Sequence, residues 1–288
     1  MKGERVPLES AGCATDQTAE DRIEAVLRSV RMMRENVGDE LSLRDLAQSA
    51  LLSPFHFHRV FRQMTASTPA RFLAAWRMAE AKRMLAYSSV NVTDICMRVG
   101  YSSLGTFTSQ FTRLVGVPPR RFRALVTAWS DQPFAAVLAD LRSVLVEPDP
   151  VQLTGTITGG DGTDAFAVVG LFSSGIPQEA PAACAIPEVP GMAVFGGLPD
   201  GEYYPLAMCF PPSVTVAEAM VDELDRGYFA ASRVPVRISG GVALTHSTFS
   251  LRVRPRRQLD PPMVLALPLV VAAQLHDTPM PRPRSPRA

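Results

Sequence analysis

The sequence predicts a multidomain chain, with an all-α double helix-turn-helix domain followed by an antiparallel β-sandwich. Two observations predict it. Ser53, Phe57, Phe61, Pro69, Arg71 and Phe72 recur 50 positions later as Ser103, Phe107, Phe111, Pro119, Arg121 and Phe122. Aromatic residues one helical turn apart within such a repeat indicate one helical unit built twice. Beyond residue 150, short runs rich in Val, Thr, Phe and Tyr alternate with Gly and Pro clusters, a pattern typical of strands.

Composition places the chain among ordinary globular proteins. It has 288 residues, of which 47% are hydrophobic and 20% charged, enough material for two domains. Residues 1–19 contain acidic residues and no apolar signal core, so we expect no export; we also expect these residues to form a disordered tail. The longest apolar stretch, near residues 263–273, is interrupted by Pro268 and is too short to cross a bilayer. We therefore expect a cytoplasmic protein with no membrane partner.

The charge is unevenly distributed although the net charge is only +1. Residues 20–127 hold 16 Lys and Arg against 9 Asp and Glu, whereas residues 128–288 hold 11 against 16. On a helical repeat, this basic excess predicts a surface that binds a polyanion, the alternative being an ordinary solvated face. The four cysteines lack metal-ligand spacing and no catalytic motif is present in the sequence, so we expect no metal, no cofactor and no enzymatic activity.

The first helix-turn-helix follows an amphipathic helix over residues 21–37. Ser42, with Asp45 three residues later, predicts a capped helix start. After a tight turn, Ser53 is the expected N-cap of a helix over residues 54–64, and Pro54 suits its first position. The inward stripe of this helix contains Phe57, Val60, Phe61 and Met64. Its other face carries Phe55, His58, Arg59 and Arg62, side chains suited to base edges and phosphates in a major groove. A solvated surface helix is the alternative.

A long helix and a second copy of the motif follow. Residues 69–87 predict a rod of about 27 Å, close to one turn of B-DNA. Asn91 is the expected cap of the next helix, Gly100 makes the turn, and Ser103 caps a helix that ends at Val115. The outward positions of that helix are Gly105, Thr108, Ser109, Thr112 and Arg113. A short closing helix over residues 119–125 carries Arg120, Arg121 and Arg123, which we interpret as phosphate contacts.

Several spaced motifs together carry a family resemblance. They are Arg77-x-x-x-Ala81-x-x-x-Leu85, Val92-x-x-Ile95-Cys96-x-x-Val99-Gly100-Tyr101, Phe107-x-x-x-Phe111 and Gly116-Val117-Pro118-Pro119-x-x-Phe122-Arg123. In this pattern, residues 20–127 resemble the DNA-binding domain of AraC/XylS-type transcription regulators. The resemblance implies seven helices forming two helix-turn-helix motifs, whose recognition helices enter successive major grooves on one face of double-stranded DNA.

The resemblance also implies contact residues. The resemblance implies base contacts by Phe55, His58 and Arg59 in the first motif and by Gly105, Thr106 and Ser109 in the second. We assign backbone contacts to Arg62, Arg71, Thr108, Arg113, Arg120 and Arg121. A structural pair at the domain edge is an equal alternative for Arg71 and Arg121. Two departures from the family pattern stand out: Ala66 replaces a usual Gly in a left-handed cap, and the base-facing positions of the second recognition helix hold Gly105 and Ser109 where an Arg or Gln often makes bidentate contacts.

The second half of the chain predicts a connector and a sandwich. Residues 128–150 contain an amphipathic helix that we expect to dock within its own chain rather than on a second copy. In the sandwich, residues 151–276, we predict a helix at 215–225 and a hairpin turn at Leu198-Pro199-Asp200-Gly201. The strands are predicted at 151–158, 166–172, 182–186, 193–195, 202–210, 234–238, 247–253 and 263–272. This part weakly resembles transthyretin-like or carboxypeptidase-regulatory-like sandwiches. Residues 277–288 predict a disordered, basic, Pro-rich tail.

These expectations converge on a one-component transcription regulator. Its partners would be double-stranded DNA and, in addition, RNA polymerase and a second copy of the chain; no effector molecule is identifiable from the sequence. The C-terminal domain would sense a signal or mediate assembly. The alternative is an interaction protein whose sandwich binds a protein partner and whose helices have only nonspecific DNA affinity.

Overall fold

Helices fill the first half of the chain and strands most of the second. The computed structural model describes residues 10–145, 148–159, 166–221, 227–244 and 246–266. The helices are α1 (Ser10–Glu35), α2 (Leu43–Ser49), α3 (Pro54–Thr65), α4 (Pro69–Tyr87), α5 (Val92–Arg98), α6 (Leu104–Val115), α7 (Pro119–Trp129), α8 (Phe134–Val144) and α9 (Val216–Val221). The strands are β1 (Leu153–Thr158), β2 (Ala167–Phe172), β3 (Ala183–Ala185), β4 (Gly191–Phe195), β5 (Gly201–Cys209), β6 (Tyr228–Ala231), β7 (Val236–Ser239), β8 (Val242–Ala243), β9 (Thr248–Arg252) and β10 (Arg254–Pro255).

The predicted caps fix the starts of the helices in both motifs. Ser42 and Asp45 form a reciprocal capping box, in which the Ser42 N–H donates to the Asp45 carboxylate at 2.8 Å. Hydrogen bonds from Ser42 lower the pKa of Asp45. Ser53 and Ser103 cap the starts of α3 and α6 with their side-chain oxygens. Gly100 makes the second turn at φ 82°, where a Cβ atom would lie 2.9 Å from the Gly38 carbonyl oxygen.

The sequence repeat is a repeat of aromatic packing. The rings of Phe57, Phe61 and Phe72 form a buried trio, with centroid separations of 5.5 Å and 5.3 Å. The rings 50 positions later form a second buried trio, with separations of 5.7 Å and 5.9 Å. In each copy the third ring belongs to the next helix, α4 or α7, so it fixes that helix against α3 or α6. The predicted repeated unit is therefore confirmed.

Two predicted helix boundaries are wrong. Helix α1 begins at Ser10, so residues 10–19, which we expected to be a disordered tail, are helical. This stretch contains no Pro and three of its ten residues are Ala, so its sequence does not stop the helix. Helix α7 continues to Trp129, beyond the predicted end at 125, because the Trp129 side chain is buried in the helical core.

Helix α8 docks within its own chain, as predicted. Phe134, Val137, Leu138 and Leu141 form its buried stripe. The Phe134 ring meets the Phe210 ring nearly edge-on, with centroids 5.5 Å apart. This contact joins the connector helix to the segment that follows β5.

The strands form two stacked sheets. The outer sheet has the order β4-β1-β9, and the inner sheet has the order β10-β6-β5-β2-β3, with β7 pairing β5 and β8. Their facing sides share a core that contains Leu153, Ile157 and Phe195 from the outer sheet and Val169 and Ala207 from the inner one. The sandwich is mostly antiparallel, as predicted, but β1 and β9 pair in parallel.

The predictions for the end of the sandwich need correction. Strands β6, β8 and β10 were not predicted. Residues 263–266 of a predicted strand are buried but join no sheet, because their N–H groups bond elsewhere: Val264 and Leu265 to the Pro177 carbonyl and Ala266 to the Val115 carbonyl. The rest of that predicted strand and the predicted tail at 277–288 lie outside the described residues.

The turn at residues 198–201 is not a hairpin. It joins β4 in the outer sheet to β5 in the inner sheet, and these two strands do not pair. The Tyr203 hydroxyl donates to the Pro199 carbonyl at 2.9 Å and so closes this crossover. The resemblance to transthyretin-like sandwiches, which leaned on a hairpin here, remains only a prediction.

The helical and β units share one continuous hydrophobic core. The second face of the inner sheet contributes Phe172, Leu206, Met208 and Phe229 to the same cluster as the helical aromatic trios. The molecule therefore has three layers, in the order helices, inner sheet and outer sheet. None of the described helices combines the length and the hydropathy that a membrane-spanning helix requires.

Candidate nucleic-acid interface

The first predicted recognition helix, α3, has one buried face and one exposed face. Phe57, Val60 and Phe61 are buried against the helical core. Phe55 is 83% exposed, an unusual state for a phenylalanine, and Arg59 is also exposed. Arg62 is exposed and His58 half-buried, so the four predicted outward side chains lie on the outer side of α3.

The second predicted recognition helix, α6, repeats this arrangement with smaller side chains. Gly105, Thr106 and Ser109 are exposed, and Thr108 is half-buried. A Cβ atom built on Gly105 would have only the Ser103 hydroxyl within 4 Å, at 3.8 Å. The glycine is therefore not required by crowding within the protein. Because Gly105 has no side chain, another molecule can approach the helix backbone closely at this position.

The two predicted recognition helices, α3 and α6, both end in a left-handed conformation. Ala66 ends α3 with φ 51° and ψ 25°, and Gly116 ends α6 with φ 98°. The sequence predicted this conformation at Ala66, and it is strained for a residue with a Cβ atom. Segment 175–179 of the β unit meets both ends. The Gly175 N–H donates to the Ala66 carbonyl at 3.1 Å, and the Glu179 N–H donates to the Leu114 carbonyl at 3.0 Å.

A cleft of 780 Å³ separates the two motifs. Its lining includes His58 from α3, Arg77 from α4 and Gln110 from α6. The Tyr101 hydroxyl donates to the Gln110 side chain at 3.0 Å, and burial raises the pKa of Tyr101. Arg77 donates to the carbonyls of Val37 at 3.1 Å and Asp39 at 2.7 Å. Arg77 thus fixes α4 to the loop between α1 and α2, whereas the Tyr101 hydrogen bond lies within the second motif.

The predicted backbone-contact arginines fall into different environments. Arg113 pairs with Glu179 at 2.5 Å, and Arg71 lies 3.8 Å from the same carboxylate. Arg120 is exposed, whereas the Nε atom of Arg121 is buried without a hydrogen-bond partner among the described residues. Arg123, which we interpreted as a phosphate contact, instead donates to the carbonyls of Leu85 and Val90 and is structural.

Glu179 was not among the predicted site residues. It lies 66 positions from Arg113 and 108 positions from Arg71, in a loop with no motif, so no local pattern signals its role. The β unit therefore places an acidic group on two arginines predicted to contact DNA. Across the described ranges, no group of three or more His, Cys, Asp or Glu side chains is arranged to hold a metal ion.

Comparisons with known proteins concern the helical half of the chain. Residues 46–125 match a family model described as a helix-turn-helix domain. The uncharacterized HTH-type transcriptional regulator YobQ of Bacillus subtilis is 30% identical over 104 residues, which are 36% of this chain and 42% of YobQ. The HTH-type transcriptional activator RhaS of Escherichia coli is 33% identical over 91 residues, which are 32% of this chain and 33% of RhaS. The chain thus spans less than half the length of these relatives.

Solved structures match the same region. The DNA-binding domain of the global transcriptional factor AdpA, solved in complex with a target DNA, is 29% identical. That match covers 38% of this chain and 94% of the AdpA domain, with a TM-score of 0.34. An AraC-type transcriptional regulator from Chromobacterium violaceum is 25% identical, and the match covers 35% of this chain and 91% of that one, with a TM-score of 0.35. The proteins in these matches are named as transcriptional regulators, an activator or a transcriptional factor.

Proposed function

We propose that the chain is a sequence-specific, DNA-binding transcription regulator of the AraC/XylS type, because residues 46–125 match a helix-turn-helix family model and resemble the transcriptional activator RhaS. The observation that carries the proposal is the pair of recognition helices. Each buries an aromatic face against the core and leaves its opposite face exposed. Helices with free polar faces of this kind are the elements that read a major groove.

The two helices would enter successive major grooves of double-stranded DNA. Helix α4, which connects the motifs, has 19 residues. At about 1.5 Å per residue it is roughly 28 Å long, comparable to the B-DNA repeat of about 34 Å. The first motif would supply most of the direct reading, because Arg59 can form a bidentate contact with guanine and Ser109 cannot.

The β unit would sense a signal or mediate assembly. Its segment 175–179 contacts the ends of both recognition helices, so a change in the β unit can reach the DNA-binding face. A cavity of 330 Å³ lies between α1, α3 and the β unit, with Leu27, Met64, Phe229 and Arg254 in its lining. This volume lies at the lower end of the range of small-molecule sites. RNA polymerase and a second copy of the chain remain further proposed partners of a cytoplasmic regulator.

Selection of bound DNA from a random pool by the full chain tests this proposal. We expect the selected DNA sequences to share one motif with two unequal halves. Base preference should be strong at the positions contacted by α3 and weak at those contacted by α6. Diffuse binding that disappears with added salt would contradict sequence-specific regulation. That result would favour the alternative, an interaction protein with nonspecific DNA affinity.

Arg59→Ala is expected to relax sequence preference at one position of the selected site, by about 1–3 kcal/mol of discrimination, because a bidentate guanine contact would be lost. Arg113→Ala should instead weaken binding to all sequences alike and reduce the salt slope by about 1. Competition binding with the selected site and its single-base variants measures both effects. Equal loss of specificity from the two substitutions would contradict the division into base and backbone contacts.

Glu179→Gln is expected to tighten DNA binding about two- to fivefold, because an exposed ion pair contributes about 1 kcal/mol or less. The substitution removes the carboxylate that pairs with Arg113 and Arg71, so both guanidinium groups become free for phosphates. Glu188→Gln is the matched control, since Glu188 pairs with Arg142 of α8 instead. Titrations of a fluorescent duplex measure the affinities. Equal affinities for the two variants would show that Glu179 does not compete with DNA.

A further inference from the structure

An open hollow of about 500 Å³ lies where the β unit meets the outward face of α3. One wall contains Arg59, Arg62 and Gln63 from the recognition helix, and the other contains Tyr204 and Arg233 from the β unit. Arg59, Arg62, Gln63 and Arg233 are all exposed, and Tyr204 is half-buried. The β unit therefore borders the predicted reading face without covering it.

The hollow has a strong excess of positive charge. Three of its lining residues are arginines and none is acidic. Within the described ranges, Arg59, Arg62 and Arg233 form no ion pair with a carboxylate. Guanidinium groups gathered without a counter-charge attract an anion with planar or tetrahedral oxygens, above all phosphate.

The loop that carries Arg233 is held in place by the fold. The Ser232 N–H donates to the Pro205 carbonyl of β5 at 2.9 Å, and the Ser232 hydroxyl donates to the Val234 carbonyl at 2.6 Å. Arg233 therefore extends from a fixed backbone position beside α3. A preorganised backbone lowers the entropy that a contact costs when a ligand binds.

We propose that the β unit contacts DNA directly, with Arg233 and the Tyr204 hydroxyl binding a backbone phosphate beside the groove that α3 enters. The inference rests on the proposed function. A helix in a major groove lies between the two sugar-phosphate backbones of the duplex. Phosphate contacts from neighbouring elements of the protein fix the position of this helix along the DNA. Because Arg233 shares the hollow with Arg59 and Arg62, it is well placed to reach the strand that flanks this helix. The β unit thereby adds affinity for DNA without adding base specificity.

The test compares full-chain variants on the selected duplex between 50 and 200 mM salt. Arg233→Gln should weaken binding about three- to tenfold at low salt, and its salt slope should fall by about 0.9, so that it loses about threefold less affinity over this range. Arg233→Lys should keep most of the slope, because the charge remains. Tyr204→Phe should weaken binding more modestly. Arg252→Gln, which removes an exposed arginine from the outer sheet, should match the wild type.

The outcomes separate this inference from the proposed function. If the wild type shows sequence preference but Arg233→Gln matches Arg252→Gln, the inference is overturned and the function stands. Tighter binding by Arg233→Gln also overturns it, since the β unit would then obstruct DNA. Sodium phosphate could raise the Tm of the wild type but not that of Arg233→Gln, while the two proteins show the same salt slope for DNA binding. In that case the hollow binds a free anion and the inference fails. A wild type without sequence preference overturns both.

Discussion

Phe61→Ala is expected to lower the free energy of unfolding by about 3–5 kcal/mol, a large part of the stability of a typical domain. The Phe61 ring is fully buried and is the central member of its trio, in contact with Phe57 on the same helix and Phe72 on the next. Its removal leaves a cavity at the point where α3 is fixed against α4. Urea unfolding, followed by circular dichroism, measures the loss.

Phe55→Ala is the matched control, because it removes the same ring from the opposite face of the same helix. Phe55 is 83% exposed, so stability should change by about 0.5 kcal/mol or less. DNA affinity should fall, however, if the ring contacts a thymine methyl group. A destabilisation of Phe55→Ala comparable to that of Phe61→Ala would contradict the division of α3 into a core face and a reading face.

Lys82→Met is expected to remove a pH dependence of stability. The Lys82 ammonium is fully buried where α4 meets the end of the β unit, and its Nζ atom donates to the Met263 carbonyl at 2.8 Å. Burial, followed by repulsion from Arg256, lowers its pKa to about 7 from 10.5. Between these two values, the unfolded chain holds a proton on Lys82 that the folded chain has released.

Stability should therefore rise with pH above 7, by at most about 1.4 kcal/mol per pH unit from this group. Below pH 7 the lysine is charged in both states, and the full cost of burying the charge is present. Methionine fills a similar volume and carries no charge, so the variant should gain stability most at pH 6 and lose the slope between pH 7 and 9. Urea unfolding at pH 6, 7, 8 and 9 checks this. If the free energy of unfolding changes with pH equally in the wild type and in Lys82→Met, Lys82 is not the source of the pH dependence.

Local features of the fold were predictable because local chemistry determines them. Ser42, Ser53, Asn91 and Ser103 were all identified as caps, since a side-chain oxygen at a helix start has a recognisable sequence context. The aromatic repeat identified the buried faces of α3 and α6, and therefore also the opposite, exposed faces that we propose contact DNA. Individual DNA contacts remain predictions.

Features that depend on distant parts of the chain were not predictable. Strand β6 has only four residues, of which Tyr228 and Phe229 favour strands and the two alanines do not, too short a run to show a strand pattern; it forms because β5 offers a pairing edge. Residues 263–266 have a strand composition but bond to α6 and to the loop after β2. Glu179, Tyr204 and Arg233 reach the helical unit only through packing of the inner sheet against it. No sequence window contains both partners of such contacts.

The hydrogen bonds from segment 175–179 to the ends of α3 and α6 have a consequence for DNA sites. They fix the separation and relative tilt of two elements that would each occupy a groove, so the duplex must adapt to the protein. The cost of adjusting twist and groove width depends on the base pairs between the two contacted grooves. Those central base pairs are therefore expected to influence which sites are occupied, although no side chain reaches them.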